Sequence, residues 1–147
     1  MTTPSTVPLA LAELRDELLA LEEPDRLALL VEIGEELPKV PARIRDDPAA
    51  LERVSECQSP VFIAVETDRA GAVILHAVAP ASAPTTRGFA SLLAQGVAGA
   101  SPADVLAIPA GFPRTLGLDR VVSPLRLAGM TGLLTRTQRQ VRAAFGS

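Results

Sequence analysis

Apolar positions recur at helical spacing near the start of this chain, where Leu11, Leu14, Leu18 and Leu21 fall on one face. Glu22-Glu23-Pro24 interrupts the pattern and ends that helix. A second helix takes Pro24 into its first turn, aligns Leu27, Leu30, Val31 and Gly34, and stops at Pro38. Gly34 within the apolar stripe predicts close backbone packing. Lys39 to Asp47, with Pro41 and mixed charge, reads as a surface connection. Asp47-Pro48 has the form of a cap followed by a first-turn proline, predicting a short helical turn toward Val54.

The pattern then changes to apolar and β-branched runs. Val61 to Val65 and Ala72 to Val78, joined by Glu66-Thr67-Asp68-Arg69-Ala70-Gly71, predict an antiparallel hairpin. After Pro80 and Pro84, Phe89, Leu92, Leu93 and Gly96 predict a helix closed by Gly99. Ser101-Pro102-Ala103-Asp104 is a cap, a first-turn proline and an acidic third position, the start of a short helix. Gly111, Pro113 and Gly117 break the next segment, and Ser123-Pro124 opens a final helix that carries Leu127 and Leu134 and ends near Phe145. No repeat and no long linker divides the chain. The expected architecture is α+β, several helices packed with a small antiparallel β-sheet, as a single domain over residues 1–147 with residues 1–8 flexible.

Composition narrows the function. With 147 residues, 48% hydrophobic and 21% charged, the chain is long enough to bury one core and too apolar to be disordered. Four Phe with no Trp or Tyr leave little material for stacking on bases, and a net charge of -3 argues against a nucleic-acid partner. Met1 to Thr6 lacks a basic signal-peptide start, and no apolar run approaches the roughly 18 residues of a membrane span. These features predict a cytoplasmic protein with no membrane partner, in a compartment where a free thiol persists.

The lone cysteine, Cys57, lies just before the first predicted strand. One thiol cannot close an internal disulfide or build a cysteine-rich metal site, so any chemistry it does is done alone or with a partner protein. Free cysteines are also often small buried hydrophobes, and that reading stands beside the reactive one. In favour of reactivity, a loop before a strand displays its side chain from a rigid element. Arg126 is the second candidate. If Ser123 caps the last helix, Arg126 is its third residue, where the unpaired amides make a positive charge locally unfavourable. A structural role, reaching Asp119 or a backbone carbonyl, is the competing explanation.

Other constellations carry less. His76, the sole histidine, sits in the second predicted strand and reads as a strand-face residue, and with one cysteine no metal-ligand spacing forms. A cysteine-histidine enzyme, a peroxidase or hydrolase, would need His76 beside Cys57. Glu22-Glu23 and Glu35-Glu36 are adjacent on helices and do not face one another. Gly96, Gly99, Gly111 and Gly117 form neither a phosphate loop nor a dinucleotide fingerprint, so no cofactor is expected.

Taken together, Glu32-Ile33-Gly34-Glu35-Glu36-Leu37-Pro38, Val54 through Cys57-Gln58-Ser59 and Phe62, Arg87-Gly88-Phe89, and Ser123-Pro124-Leu125-Arg126 with Gly129-Met130 occur in the order found in the SufE sulfur-acceptor proteins. The chain resembles that family from about Leu9 to Phe145. The resemblance implies a SufE/NifU-like fold and a stoichiometric carrier that takes persulfide sulfur from a pyridoxal-phosphate (PLP) dependent cysteine desulfurase and passes it to an iron-sulfur scaffold complex. Other destinations, sulfur-containing cofactors or tRNA, stay open, as does a plain interaction module with an inert cysteine. Cys57 matches the family's acceptor cysteine, and Arg126 matches the arginine of its C-terminal motif, near the acceptor loop and the desulfurase interface. Three departures are visible. Glu56 stands where many members have glycine, which predicts loss of a left-handed loop conformation and a carboxylate that disfavours the thiolate. Ala128 replaces a commonly polar residue, and acidic residues are absent from Pro80 to Ser82.

Overall fold

A computed structural model describes residues 7–145. Six α-helices and three strands follow one another as α1 (Leu9–Leu19), α2 (Glu23–Glu35), α3 (Ala42–Arg45), β1 (Glu52–Arg53), β2 (Phe62–Thr67), β3 (Val73–Val78), α4 (Pro84–Val97), α5 (Pro102–Leu106) and α6 (Pro124–Phe145), with a 3-10 turn at Phe112–Leu116 before α6. The sheet has the order β1-β2-β3 and is antiparallel throughout, Arg53 opposite Phe62 and Phe62 opposite Val78. The α+β architecture expected from the sequence is therefore present. Among the described residues, no helix is long and apolar enough to cross a membrane.

Helix α4 is the centre of the packing. Small and apolar residues surround it, so most of the helix is buried, as a helix without a polar face must be. It packs against α1, α2, β3 and α6. Phe89, Leu92 and Leu93 are fully buried beside Leu11, Leu18, Leu30 and Ile63. The α2–α4 crossing explains Gly34. A Cβ there would lie 2.9 Å from the Gly88 nitrogen, and one on Gly88 would collide with the Leu30 carbonyl oxygen. Arg87 ties the same crossing by donating from Nε to the Gly34 carbonyl at 3.1 Å and from its other arm to that of Ala79.

Between Lys39 and Val54 the structure departs from the sequence reading in two ways. The segment read as a plain connection contains α3, preceded by Pro41 and pinned by buried Ile44. The turn expected after Asp47-Pro48 forms but goes no further: the Ala50 amide donates to the Asp47 carbonyl at 3.0 Å and no helix follows. The Asp47 carboxylate accepts from the Ala49 amide at 3.0 Å, an Asx turn across Pro48, and the chain then extends into β1, a strand the apolar pattern did not predict. The flexible start expected over residues 1–8 lies mainly outside the described residues. Of its described part, Val7 is buried in the core and Pro8 adjoins α1.

Candidate functional site

Residues 55–60 join β1 to β2. The ladder runs one bond beyond the strands, Val54 N–H to Val61 O at 2.8 Å, and the Cys57 amide turns back onto the Val54 carbonyl at 3.1 Å. Buried Val54 and Val61 thus form a fixed base for the loop. Ser55, Glu56 and Gln58 are exposed while Cys57 is only 7% exposed, so the loop turns its one thiol inward. Sγ lies 3.6 Å from the Gly129 carbonyl of α6, to which the thiol donates.

Helix α6 accepts the loop because it is flat there. A Cβ on Gly129 would stand 3.1 Å from the Cys57 sulfur, and one on Gly132 would meet the Glu56 side chain at 2.6 Å. Beside the thiol is a cavity of about 80 Å³. Ser82, Thr86, Phe89, Leu125, Arg126 and Met130 line it together with the loop. Burial pushes the Cys57 thiol above its ordinary pKa, the Glu56 charge adds to the rise, and Arg136 and Arg53 oppose it. At rest the group is a protonated thiol with free space next to its sulfur.

Arg126 reaches the same cavity from the first turn of α6. Its amide donates to the Ser123 side chain at 3.2 Å, the cap expected from the sequence. Its side chain is exposed and, among the described residues, has no hydrogen bond or ion pair, so the competing explanation through Asp119 has no contact behind it. The two sequence candidates therefore share one cavity. His76 does not join them. It bonds Glu66 at 2.7 Å, and Arg43 holds the same carboxylate with two bonds of 2.7 and 3.0 Å. That pairing, Arg43 first and His76 second, lowers Glu66 to about 2, and His76 is absent from the cavity wall. The cysteine-histidine pairing required of a thiol enzyme is not made.

Sequence reasoning missed Arg136. From α6 it donates to Glu56 at 2.6 Å, Glu52 at 2.7 Å and the Ser55 hydroxyl at 2.7 Å, gripping three residues that precede Cys57. Glu52 is further held by Arg139 and by Gln140, the latter at 2.8 Å. The only available signal was the spacing of Gly129, Gly132 and Arg136, which places all three on one face of a helix. Glu56 needs no left-handed backbone, since no non-glycine residue among those described has a positive φ. Its carboxylate is held below the usual range by the Arg136 hydrogen bond.

A sequence model of the SufE family, described as the Fe-S metabolism associated domain, matches residues 12–141. This chain belongs to the SufE family. Two SufE-like proteins, from the CDC 1551 and H37Rv strains of Mycobacterium tuberculosis, are each 45% identical to it over 144 residues, covering 98% of this chain and 99% of theirs. The solution structure of a hypothetical protein from Thermus thermophilus is 38% identical, covers 96% of this chain and 99% of its own, and superposes with a TM-score of 0.83. The membership ties this SufE-family chain to iron-sulfur metabolism.

Proposed function

We propose that the protein acts over its whole length as one sulfur-acceptor unit in the cytoplasm, taking sulfur on Cys57 from a PLP-dependent cysteine desulfurase and delivering it to an iron-sulfur scaffold. The observation that carries this reading is a sole thiol turned inward beside empty space, on a short loop with a fixed base. A carrier needs those properties. A persulfide is readily oxidised, so it benefits from shelter between partners, and the cavity has room for a second sulfur atom.

In the transfer, the Cys57 thiolate attacks the outer sulfur of the donor's persulfide. A new S–S bond forms at Cys57, the donor's S–S bond breaks, and the donor cysteine leaves as a thiolate while the persulfide proton stays with the transferred sulfur. No outside oxidant or reductant is needed. Because burial raises the thiol's pKa, the loop must open for the thiolate to form readily. Arg126, unpaired at the cavity edge, is suited to favour the emerging anion or to pair with a carboxylate of the desulfurase.

The test is to mix the protein with a cysteine desulfurase and cysteine and to weigh it intact. The parent chain gains one sulfur, Cys57→Ser gains none and keeps its fold, and Arg126→Ala gains it more slowly with little change in melting temperature. A parent chain that gains no sulfur would return Cys57 to the status of an inert core residue. If sulfur accepted on Cys57 then failed to reach an iron-sulfur scaffold but reached a cofactor or tRNA pathway, the donor half of the reading would survive and the destination would change.

A further inference from the structure

The contacts of the Cys57 loop are few and concentrated on one side chain. Among the described residues, the hydrogen bonds and ion pairs from Ser55–Ser59 to the rest of the fold outside the hairpin are the thiol on Gly129 and the bonds of Ser55 and Glu56 to Arg136. Gln58 and Ser59 add none. Arg136 spans a boundary: its bond to Glu52 reaches the strand that is paired with β2, whereas its bonds to Ser55 and Glu56 reach the part that must move for Cys57 to be exposed. Glu52 keeps Arg139 and Gln140 when Arg136 is withdrawn, so β1 has other charged or polar side-chain anchors, whereas the loop keeps only the weak thiol bond to Gly129.

We propose that Arg136 is a positioning residue, an electrostatic latch that holds the Cys57 loop closed on α6 and sets how often the thiol is presented. The fork of the guanidinium suits this task, because it engages a carboxylate and a hydroxyl together in fixed geometry. The Glu56 side chain is 39% exposed, so the latch is weak enough to open and is sensitive to ionic strength. A glycine at position 56 would leave only the Ser55 half of the grip on the moving part. The latch's meaning for sulfur transfer rests on the acceptor reading, but thiol exposure is measured without any sulfur donor, so the two fail separately.

The experiment is alkylation of Cys57 by iodoacetamide in the full folded chain. Removing the Arg136 charge by itself raises the thiol's pKa and slows the reaction, so acceleration reports opening. Arg136→Ala should react about fivefold faster than the parent at low salt, the upper end of what loss of a partly exposed ion pair gives. The parent should speed up severalfold toward about 1 M salt, where the screening length falls to about 3 Å, and Arg136→Ala should not. Arg136→Lys, which keeps the charge without the fork, should fall between them. Glu56→Gln leaves the Arg136–Glu52 pair intact and carries the test if Arg136→Ala does not fold. It should react faster even on the plateau of its pH profile, where all thiol is ionised. Low urea separates local opening, which is nearly insensitive to denaturant, from global unfolding, which is steeply sensitive. Parent rates and a parent salt profile in the folded variants would overturn the proposal, as would acceleration with the urea sensitivity of global unfolding.

Discussion

Two of the places where glycines permit close approach in this protein differ in the neighbours that fill the space. At the α2–α4 crossing, Gly34 and Gly88 bring helix backbones together in the buried core, and the atoms a Cβ would meet include backbone atoms of both helices. At α6, Gly129 and Gly132 admit a loop whose nearest atoms are a cysteine sulfur and the flexible side chain of Glu56, with loop backbone only at 3.6 Å. Apolar burial and a backbone-directed arginine hold the first contact. A weak thiol hydrogen bond and an ion-pair fork hold the second. Backbone pressed on backbone cannot separate without breaking the core, whereas a loop laid on a flat helix can lift. Contacts under the site are backbone-tight and those at its edge are side-chain ones, which suits the proposed carrier role.

The first contact should not tolerate a methyl group. Gly88→Ala should be the most damaging single change, since its Cβ would collide with the Leu30 carbonyl oxygen and carbonyl carbon. Overpacking against immobile backbone costs about 3 kcal/mol, a fall in melting temperature of about 10 °C for a chain of this size. Thermal unfolding followed by circular dichroism measures it, and a melting temperature unchanged from the parent would show the crossing to be as adaptable as the loop.

The matching change at the second contact should leave stability nearly alone and alter exposure. In Gly132→Ala the new methyl meets Glu56, which can move outward with its loop. Stability should change by no more than about 1 kcal/mol, the range of substitutions outside a packed core, while alkylation of Cys57 rises severalfold. Loss of stability equal to that of Gly88→Ala would mean that the loop is part of the rigid core.

Most helices were legible from recurring apolar positions, α5 from its Ser101-Pro102 cap, while four-residue α3 was too short to show a period, and Gly34 announced the crossing by interrupting a stripe. The site was half legible. Cys57 stood out as the only thiol and Arg126 as a cation in an unfavourable first turn, and both line the cavity. Arg136 was invisible because a helix-face arginine resembles any solvated one until the loop 80 residues earlier in sequence is folded against it. The same limit explains β1. Asp47-Pro48 is a valid local signal for a helix start, but pairing of Glu52 with Ile63 and with the polar face of α6 is a long-range fact that outweighs it. Glu56, by contrast, was legible locally: the left-handed conformation expected to be lost is absent, and its charge effect on the thiol has the expected direction.

A smaller effect sharpens the comparison by pH. Two carboxylates tie a mobile or surface element to the fold, Glu56 to Arg136 and Glu66 to Arg43 and His76, whereas no carboxylate touches the α2–α4 glycine contact. Both are held below the usual carboxylate range, Glu66 to about 2 by two partners and Glu56 by one. A depressed pKa gives stability that is fully present above the unfolded-state value and is lost as pH falls through the folded-state value. On acidification below the ordinary carboxylate range, Glu56 should therefore take up its proton and release the loop, while Glu66 keeps the hairpin tied to α3 until about pH 2. Dipyridyl disulfides stay reactive toward thiols in acid and can titrate Cys57 there, with circular dichroism following the helices in the same samples. Thiol reactivity should rise by a few-fold before helicity falls, and the rise should be absent in Glu56→Gln, whose loop is already released. Coincident transitions in the parent chain would place the loop and the core in one cooperative unit and remove the distinction between the two glycine contacts.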